Sequence, residues 1–349
     1  MSNFLEFYKK QKTKLDSSIE EFNKRLLKEE NLTINDNLKV YSELNKSGKM
    51  IRGTLIMLGY KLNNNNLDYS IPLATAYEGF ETSILVHDDI IDNDNFRRGK
   101  PTIHSYNEDK YNNIPDNKHL SESMALCIGD LGLYNANKII IDNYKDDKNF
   151  SKILSKYNDI VIDTIRGEII DVITPFEEKN NIFKGNTEET TMDIYRLKTS
   201  YYTLVGPMSL GMILGNSKEN EIKDIEEFTL PLGIAFQIQD DILGIFSSNE
   251  TLGKPIGSDI REFKQTLLYA HIKETDYYKE LLNHYGKEEF DIEKVKQLFI
   301  DSKSLEYCQN KMNTLYEESL NKLNKIAWLK EEDKEILKDL VEFLRSRKK

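Results

Sequence analysis

Apolar side chains recur every three or four positions along most of this chain, the spacing that lines one face of an α-helix. Within residues 3–30, Phe4, Leu5, Phe7, Leu15, Ile19, Phe22 and Leu26 alternate with charges at that period, which predicts an amphipathic helix packed on the body or on a second subunit. A second helical pattern spans about 37–62 and is interrupted at Gly48. The polar run Asn63–Asn66 marks a turn, and Pro72 opens the next helix, because proline suits a first turn. Further helical patterns occupy about 121–144, 150–174, 190–214, 220–247, 263–286, 291–325 and 331–347. Residues 96–118 and 175–190 read as loops, the second opened by Pro175. Val, Ile and Thr hardly alternate over four or more positions, so no sheet of consequence is expected and the fold class is all-α.

One stretch organises the rest: Phe80-Glu81-Thr82-Ser83-Ile84-Leu85-Val86-His87-Asp88-Asp89-Ile90-Ile91-Asp92. On a helix Asp88 and Asp92 stand one turn apart, and Asp89 lies about 100° around from Asp88. Like charges at that spacing cost an isolated helix about 0.2–0.5 kcal/mol per pair, so a cation is expected to neutralise them. A similar pattern returns in Phe236-Gln237-Ile238-Gln239-Asp240-Asp241-Ile242-Leu243-Gly244. Two acidic clusters on separate apolar helices can face a shared cavity and hold several ions. Oxygen-only ligands suit Mg²⁺, and Mg²⁺ shared between carboxylates and phosphate oxygens points to diphosphate substrates.

The charge balance sharpens this. Charged residues make up 31% of the chain and the net charge is −11, so a nucleic-acid partner has no electrostatic support. A binder of diphosphates then needs local basic patches, and the sequence has them. Asn93-Asp94-Asn95-Phe96-Arg97-Arg98-Gly99-Lys100 follows the first cluster, and paired arginines can grip phosphate oxygens. Upstream, Gly48-Lys49-Met50-Ile51-Arg52-Gly53 spaces Lys49 and Arg52 for one helix face. Lys198 stands alone in the apolar, hydroxyl-rich string Tyr195-Arg196-Leu197-Lys198-Thr199-Ser200-Tyr201. Cys127 and Cys308 give neither a disulfide framework nor a metal spacing. The five histidines offer no metal pair, and His87 reads as a packed hydrogen bonder. No apolar segment approaches 18 residues and no signal-peptide core is seen, so a soluble, cytoplasmic protein without membrane insertion is expected.

These strings together resemble the trans-isoprenyl diphosphate synthases, the polyprenyl synthetases, from about Gly48 to the C-terminus. The resemblance implies one isoprenoid-synthase domain over residues 1–349, a helical bundle around a central apolar cavity, working as a homodimer. It implies that Asp88, Asp89 and Asp92 with Asp240, Asp241 and Asp259 hold Mg²⁺, three ions per active site. Arg97 would hold the allylic diphosphate; Lys49, Arg52 and Arg98 would hold isopentenyl diphosphate. Lys198 would grip the allylic diphosphate, with Thr199 near the developing cation and Gln237 in the substrate site. Gly167-Glu168-Ile169-Ile170-Asp171 resembles a further signature, with Glu168 in place of glutamine. Gly253-Lys254-Pro255-Ile256-Gly257-Ser258-Asp259 and Lys264 resemble the phosphate-binding loop after the second cluster. The basic end Arg345-Ser346-Arg347-Lys348-Lys349 resembles a tail that closes over diphosphate.

Two departures stand out. Glu81 occupies a place where His or Gln is typical, and its carboxylate would repel diphosphate unless Lys49, Arg52 or Arg98 pairs with it. Gly244 stands where a third aspartate is expected, which leaves the second cluster to Asp240 and Asp241 with help from Asp259. The implied reaction is head-to-tail condensation of isopentenyl diphosphate with an allylic diphosphate. In the family this chain resembles, aromatics four or five residues before the first aspartate stop growth at fifteen carbons. Here those positions are Ile84 and Ser83, which are not aromatic plugs, and Phe80, about 12 Å before Asp88 along the helix, is the expected floor. That predicts a twenty-carbon product, geranylgeranyl diphosphate; farnesyl or longer products are the alternatives, as is a non-catalytic subunit of a heteromeric synthase. A terpene cyclase shares the first cluster but has no need of Lys49 and Arg52.

Overall fold

The structure is a computed structural model that describes residues 2–27, 31–182, 185, 187–247 and 257–346. Lys254 and the end of the basic tail, 347–349, lie outside them. The chain forms two compact units, one of Glu6–Leu154 with Leu210–Ser217, the other of Met1–Leu5, Ser155–Ser209 and Lys218–Lys349.

The first unit holds most of α1 (Asn3–Leu26), then α2 (Leu32–Lys46), α3 (Ile51–Lys61), α4 (Ile71–Ile91), a hairpin of β1 (Phe96–Arg97) and β2 (Lys100–Pro101), α5 (Ile103–Lys110) and α6 (Asn117–Tyr144). Asn31 caps α2 by accepting from the N–H groups of Thr33 and Ile34 at 3.0 and 3.2 Å. Pro72 sits in the first turn of α4, as the sequence predicts. From Leu73 to Ser83 every residue of α4 is buried, so this helix is the spine of the unit. Glycines set its packing. A Cβ on Gly132 of α6 would fall 2.4 Å from Ser83 Oγ and 2.5 Å from the Tyr41 hydroxyl. The polar atoms at that contact are satisfied, since Tyr41 OH donates to Gly79 O at 2.8 Å and lies 3.1 Å from Ser83 Oγ.

The second unit holds most of α7 (Phe150–Lys179), α8 (Thr187–Ile194), a π-helical segment Tyr195–Val205, the start of α9 (Gly206–Leu214) and α10 (Glu219–Phe246). Short helices Ser258–Arg261, Leu267–Lys273, Tyr278–Leu281 and Ile292–Asp301 lead to Ser304–Lys325 and Glu331–Arg345. Their core is aromatic, with Tyr269 stacked on Tyr285 at 5.0 Å and edge contacts from Phe263 and Tyr278.

Four sequence expectations change. The pattern over 291–325 divides into Ile292–Asp301 and Ser304–Lys325 at a left-handed Lys303 (φ 60°). Pro175 does not end its helix, and α7 continues to Lys179. The proline costs about 3 kcal/mol by losing one backbone bond and crowding the Asp171 carbonyl, but Pro175 is buried and packing outweighs that cost. Residues 96–118 are a hairpin and a helix rather than a loop. The pattern over 263–286 resolves into two short helices, because Ser258–Tyr285 wraps a compact aromatic core. Among the described residues no helix is long and apolar enough to cross a membrane.

Candidate active site

In the first unit, Asp88 and Asp89 occupy the last turn of α4, and Asp92 closes it with its N–H on Asp88 O at 2.8 Å. The chain then turns back through the hairpin, where Arg97 opposes Lys100. Both residues of its tip have positive φ, Arg98 at 54° and Gly99 at 75°, as a two-residue turn matched to strand twist requires. Arg97 is still in the strand while Arg98 is already in the left-handed turn, and the two arginines part company. Arg97 swings to the aspartates, with Nη2 3.0 Å from Asp88 Oδ2, 3.8 Å from Asp94 Oδ2, and Nε bonded to Asp89 Oδ1. Asp89 is buried, and its Oδ2 has no hydrogen-bond partner among the described residues. Burial pushes its carboxyl up to about 7 although Arg97 pulls the other way.

Arg98 turns instead to Glu81, with Nη2 3.4 Å from Oε1. Arg52 Nη1 reaches the same oxygen at 2.9 Å. The carboxylate that would repel diphosphate is therefore paired, by Arg52 and Arg98. Lys49 and Arg52 do not share a helix face as their spacing suggests. Met50 is left-handed (φ 58°) and α3 begins only at Ile51, so Lys49 lies before the helix and is exposed. A side chain on Gly48 would come within 3.3 Å of Arg98 Nη1. Sequence reasoning missed Glu78, whose buried Oε1 accepts the Gly53 N–H at 2.6 Å; the signal was an acid one turn before Glu81 in an apolar run.

Of the positions assigned to chain length, Ile84 lies one turn before Asp88 on the same face, and Phe80 is fully buried, edge-on to Tyr77 at 5.3 Å. Ser83 is committed elsewhere, its hydroxyl donating to Gly79 O at 3.0 Å beside Tyr41.

In the second unit, the π-helical segment carries Lys198 and Thr199. Such widened turns concentrate at functional sites. Lys198 Nζ lies 2.7 Å from both Asp171 Oδ2 and Glu168 Oε2, and Lys264 Nζ lies 3.2 Å from Asp171. Burial alone would push the Asp171 carboxyl up; Lys198 and Lys264 outweigh it and hold it below its ordinary value. Thr199 donates to Gln237 Oε1 at 2.7 Å, and Gln237 Nε2 donates to Asp241 Oδ1 at 2.7 Å. Tyr195, unassigned from sequence, donates to the other oxygen of Asp241 and accepts the Leu267 N–H at 2.8 Å. Burial, then the nearby Asp259, raises the Asp241 carboxyl well above the ordinary range. Asp240 beside it is only partly buried. A Cβ on Gly244 would sit 3.1 Å from Asp259 Oδ2, so the missing side chain leaves room for a carboxylate from further along the chain.

The first cluster offers carboxylate oxygens beside the Arg97 guanidinium, and the second holds Asp241 between the neutral donors Tyr195 and Gln237. Asp88, Asp89 and Asp92 in one unit, and Asp240, Asp241 and Asp259 in the other, are donors of the kind hard divalent cations prefer. The buried Asp89 Oδ2 has nothing to accept among the described residues, which fits a cation.

The polyprenyl synthetase family model matches residues 36–301. A short chain isoprenyl diphosphate synthase of Methanocaldococcus jannaschii is 32% identical over 266 residues, 75% of this chain and 75% of its own. The geranylgeranyl diphosphate synthase of Sulfolobus acidocaldarius is 29% identical over 316 residues, covering 88% of this chain and 90% of its own. Among solved structures, the geranylgeranyl pyrophosphate synthase of Corynebacterium glutamicum complexed with isoprenyl diphosphate and magnesium shares the fold, with TM-score 0.88 over 99% of both chains at 23% identity. The chain belongs to the polyprenyl synthetase family.

Proposed function

We propose that this chain is a trans-isoprenyl diphosphate synthase, a prenyltransferase that joins isopentenyl diphosphate head to tail to an allylic diphosphate and makes the twenty-carbon geranylgeranyl diphosphate. The observation that carries the reading is the parting of two adjacent arginines, Arg97 to the aspartates of α4 and Arg98 to Glu81, which it shares with Arg52. Two diphosphate grips side by side are what a two-diphosphate condensation needs.

Asp88, Asp89 and Asp92, with Asp240, Asp241 and Asp259, would hold Mg²⁺, three ions per site. When bound, the metal draws charge onto the leaving diphosphate. Arg97 and Lys198 are each assigned to allylic diphosphate, and Lys264 supports Lys198 through their shared Asp171. Arg52, Arg98 and Lys49 hold isopentenyl diphosphate. The allylic carbon–oxygen bond breaks, the isopentenyl double bond attacks the allylic carbon, and the released diphosphate takes the proton. Thr199 and Gln237 form a polar edge whose hydrogen bonds run to Asp241 and keep its oxygens oriented. Electrostatic preorganisation of this kind is commonly the largest catalytic contribution.

The two units act as one catalytic domain over 1–349, and two copies form a homodimer in the cytoplasm. The support for the dimer is an apolar stripe along α7, where Ile162, Ile165, Ile169, Ile173 and Phe176 recur at helical spacing and are exposed. A non-catalytic subunit would be favoured by an unpaired Glu81, and Arg52 and Arg98 remove that ground.

Incubating the purified protein with labelled isopentenyl diphosphate, an allylic primer and Mg²⁺ is expected to yield linear twenty-carbon product. Cyclised hydrocarbon would favour a cyclase, and silence without a partner chain a subunit role. Phe80→Ala is expected to lengthen the product, read by mass spectrometry after dephosphorylation; an unchanged distribution would remove Phe80 as the floor. Tyr195→Phe takes one hydrogen bond from Asp241 without changing shape. It is expected to raise the Mg²⁺ concentration for half-maximal rate by about tenfold, as loss of a ligand's supporting bond commonly does. An unaltered Mg²⁺ titration would leave Tyr195 a purely structural residue.

A further inference from the structure

We propose that Glu78 and Glu81 form a singly protonated carboxyl pair that positions Arg52 and Arg98 and sets, by its charge, the affinity for isopentenyl diphosphate. This rests on the reading of Arg52 and Arg98 as the grip on that substrate. Glu81 is buried, and its Oε1 takes both arginines, Arg52 at 2.9 Å and Arg98 at 3.4 Å. One turn earlier on the same face of α4, Glu78 is 2% exposed and bonds the Gly53 N–H at 2.6 Å.

Two buried carboxylates one helical turn apart repel one another, and a proton held by one of them relieves the repulsion. Burial, and then Glu81, pushes the Glu78 carboxyl well above the usual carboxylate range. With Glu78 protonated, the one remaining charge, on Glu81, aligns the two guanidinium groups. Counting the four groups, a pair that keeps its proton leaves one net positive charge for an incoming diphosphate. A fully ionised pair leaves none.

The surroundings make the pair the part of this grip that can respond to pH. Arg52 comes from α3 and Arg98 from the hairpin, and both stay charged at any working pH. Lys49, from the turn before α3, is exposed. Tyr8, from α1, donates to Lys49 O at 2.5 Å, and burial followed by Glu78 raises its hydroxyl above its ordinary value, so it stays neutral. The sign follows. An anion favours protonated Glu78, so binding takes up a proton, and affinity falls as pH rises through the Glu78 titration. Glu78 also caps the first turn of α3, a structural duty that a glutamine carbonyl oxygen performs equally well. Glu78→Gln therefore keeps the cap while abolishing titration.

The test is calorimetry of isopentenyl diphosphate binding to the full chain, in buffers of different ionisation heat, between about pH 6 and 9. It is paired with the KM for each substrate in the condensation assay. Wild-type protein is expected to take up protons on binding, with KM for isopentenyl diphosphate rising up to about tenfold per pH unit above the titration. Glu78→Gln is expected to lose the extra proton uptake and flatten that rise. Glu81→Gln is expected to lower the KM for isopentenyl diphosphate near neutral pH by about tenfold. The allylic KM, whose grip contains neither acid, is the internal reference, and the diphosphate's own ionisation contributes equally to every variant. Wild-type and Glu78→Gln binding with the same pH dependence would overturn the pair. Proton-linked binding without condensation would instead overturn the synthase reading and leave the pair standing.

Discussion

Asp88→Ala is expected to lower kcat/KM for condensation by about a thousandfold, the scale seen when one electrostatic contact to a developing charge is removed. Asp88 sits at the end of the spine helix, where its Oδ2 takes Arg97 Nη2 at 3.0 Å. Alanine removes an anionic donor from the cluster and leaves Arg97 bound to Asp89, so the arginine that should meet diphosphate loses the partner that fixes its far end. The fold should survive, because the side chain lies at the helix exit rather than in the packed stretch Leu73–Ser83. Circular dichroism and the unfolding midpoint check this. Asp88→Asn separates charge from shape and should be nearly as damaged as alanine. Retention of activity within tenfold in either variant, with unchanged Mg²⁺ dependence, would sink the assignment of metal to this cluster.

The sites legible in the sequence were those whose parts lie within one or two turns of each other. Asp88, Asp89 and Asp92 lie within about one turn at the end of one helix, and Asp240 with Asp241 repeat its first two positions, so the spacing is readable from the chain alone. The hairpin was less legible. Its strands are two residues long and show no alternation, and only Gly99 signalled a turn. The start of α3 escaped because it depends on a left-handed Met50, a residue that does not advertise that conformation. Glu78 and Tyr195 escaped for another reason. Their partners, Gly53 and Asp241, are 25 and 46 residues away, and no local pattern records a contact of that range. At Pro175 the proline rule failed where burial outweighed one lost hydrogen bond.

Least legible of all was the π-helical segment, and it supplies the second large expected effect. Gly167→Val is expected to destabilise the protein by about 3 kcal/mol or more, above the 1–3 kcal/mol usual for an overpacked core. A Cβ at 167 would fall 2.6 Å from Lys198 N and 3.0 Å from Lys198 Cα, and backbone cannot rotate away as a side-chain tip can. Gly233 of α10 meets the same segment, where a Cβ would lie 2.3 Å from Ser200 Oγ and 2.7 Å from Ser200 Cα. The widened helix thus fits between two positions that lack side chains. Pushing α7 off the segment also separates Lys198 from Glu168 and Asp171, which stand one and four residues beyond Gly167 on that helix. Two partly buried carboxylates then lose a cation, with Lys264 left to Asp171, and the loss adds to the cost. Gly167→Ala should show the same defect at smaller size, with the KM for the allylic diphosphate raised while that for isopentenyl diphosphate, bound in the other unit, is little affected. Urea unfolding and the two KM values check this. A Gly167→Val protein with wild-type stability and wild-type allylic KM would mean that α7 and Lys198 do not approach this closely in solution.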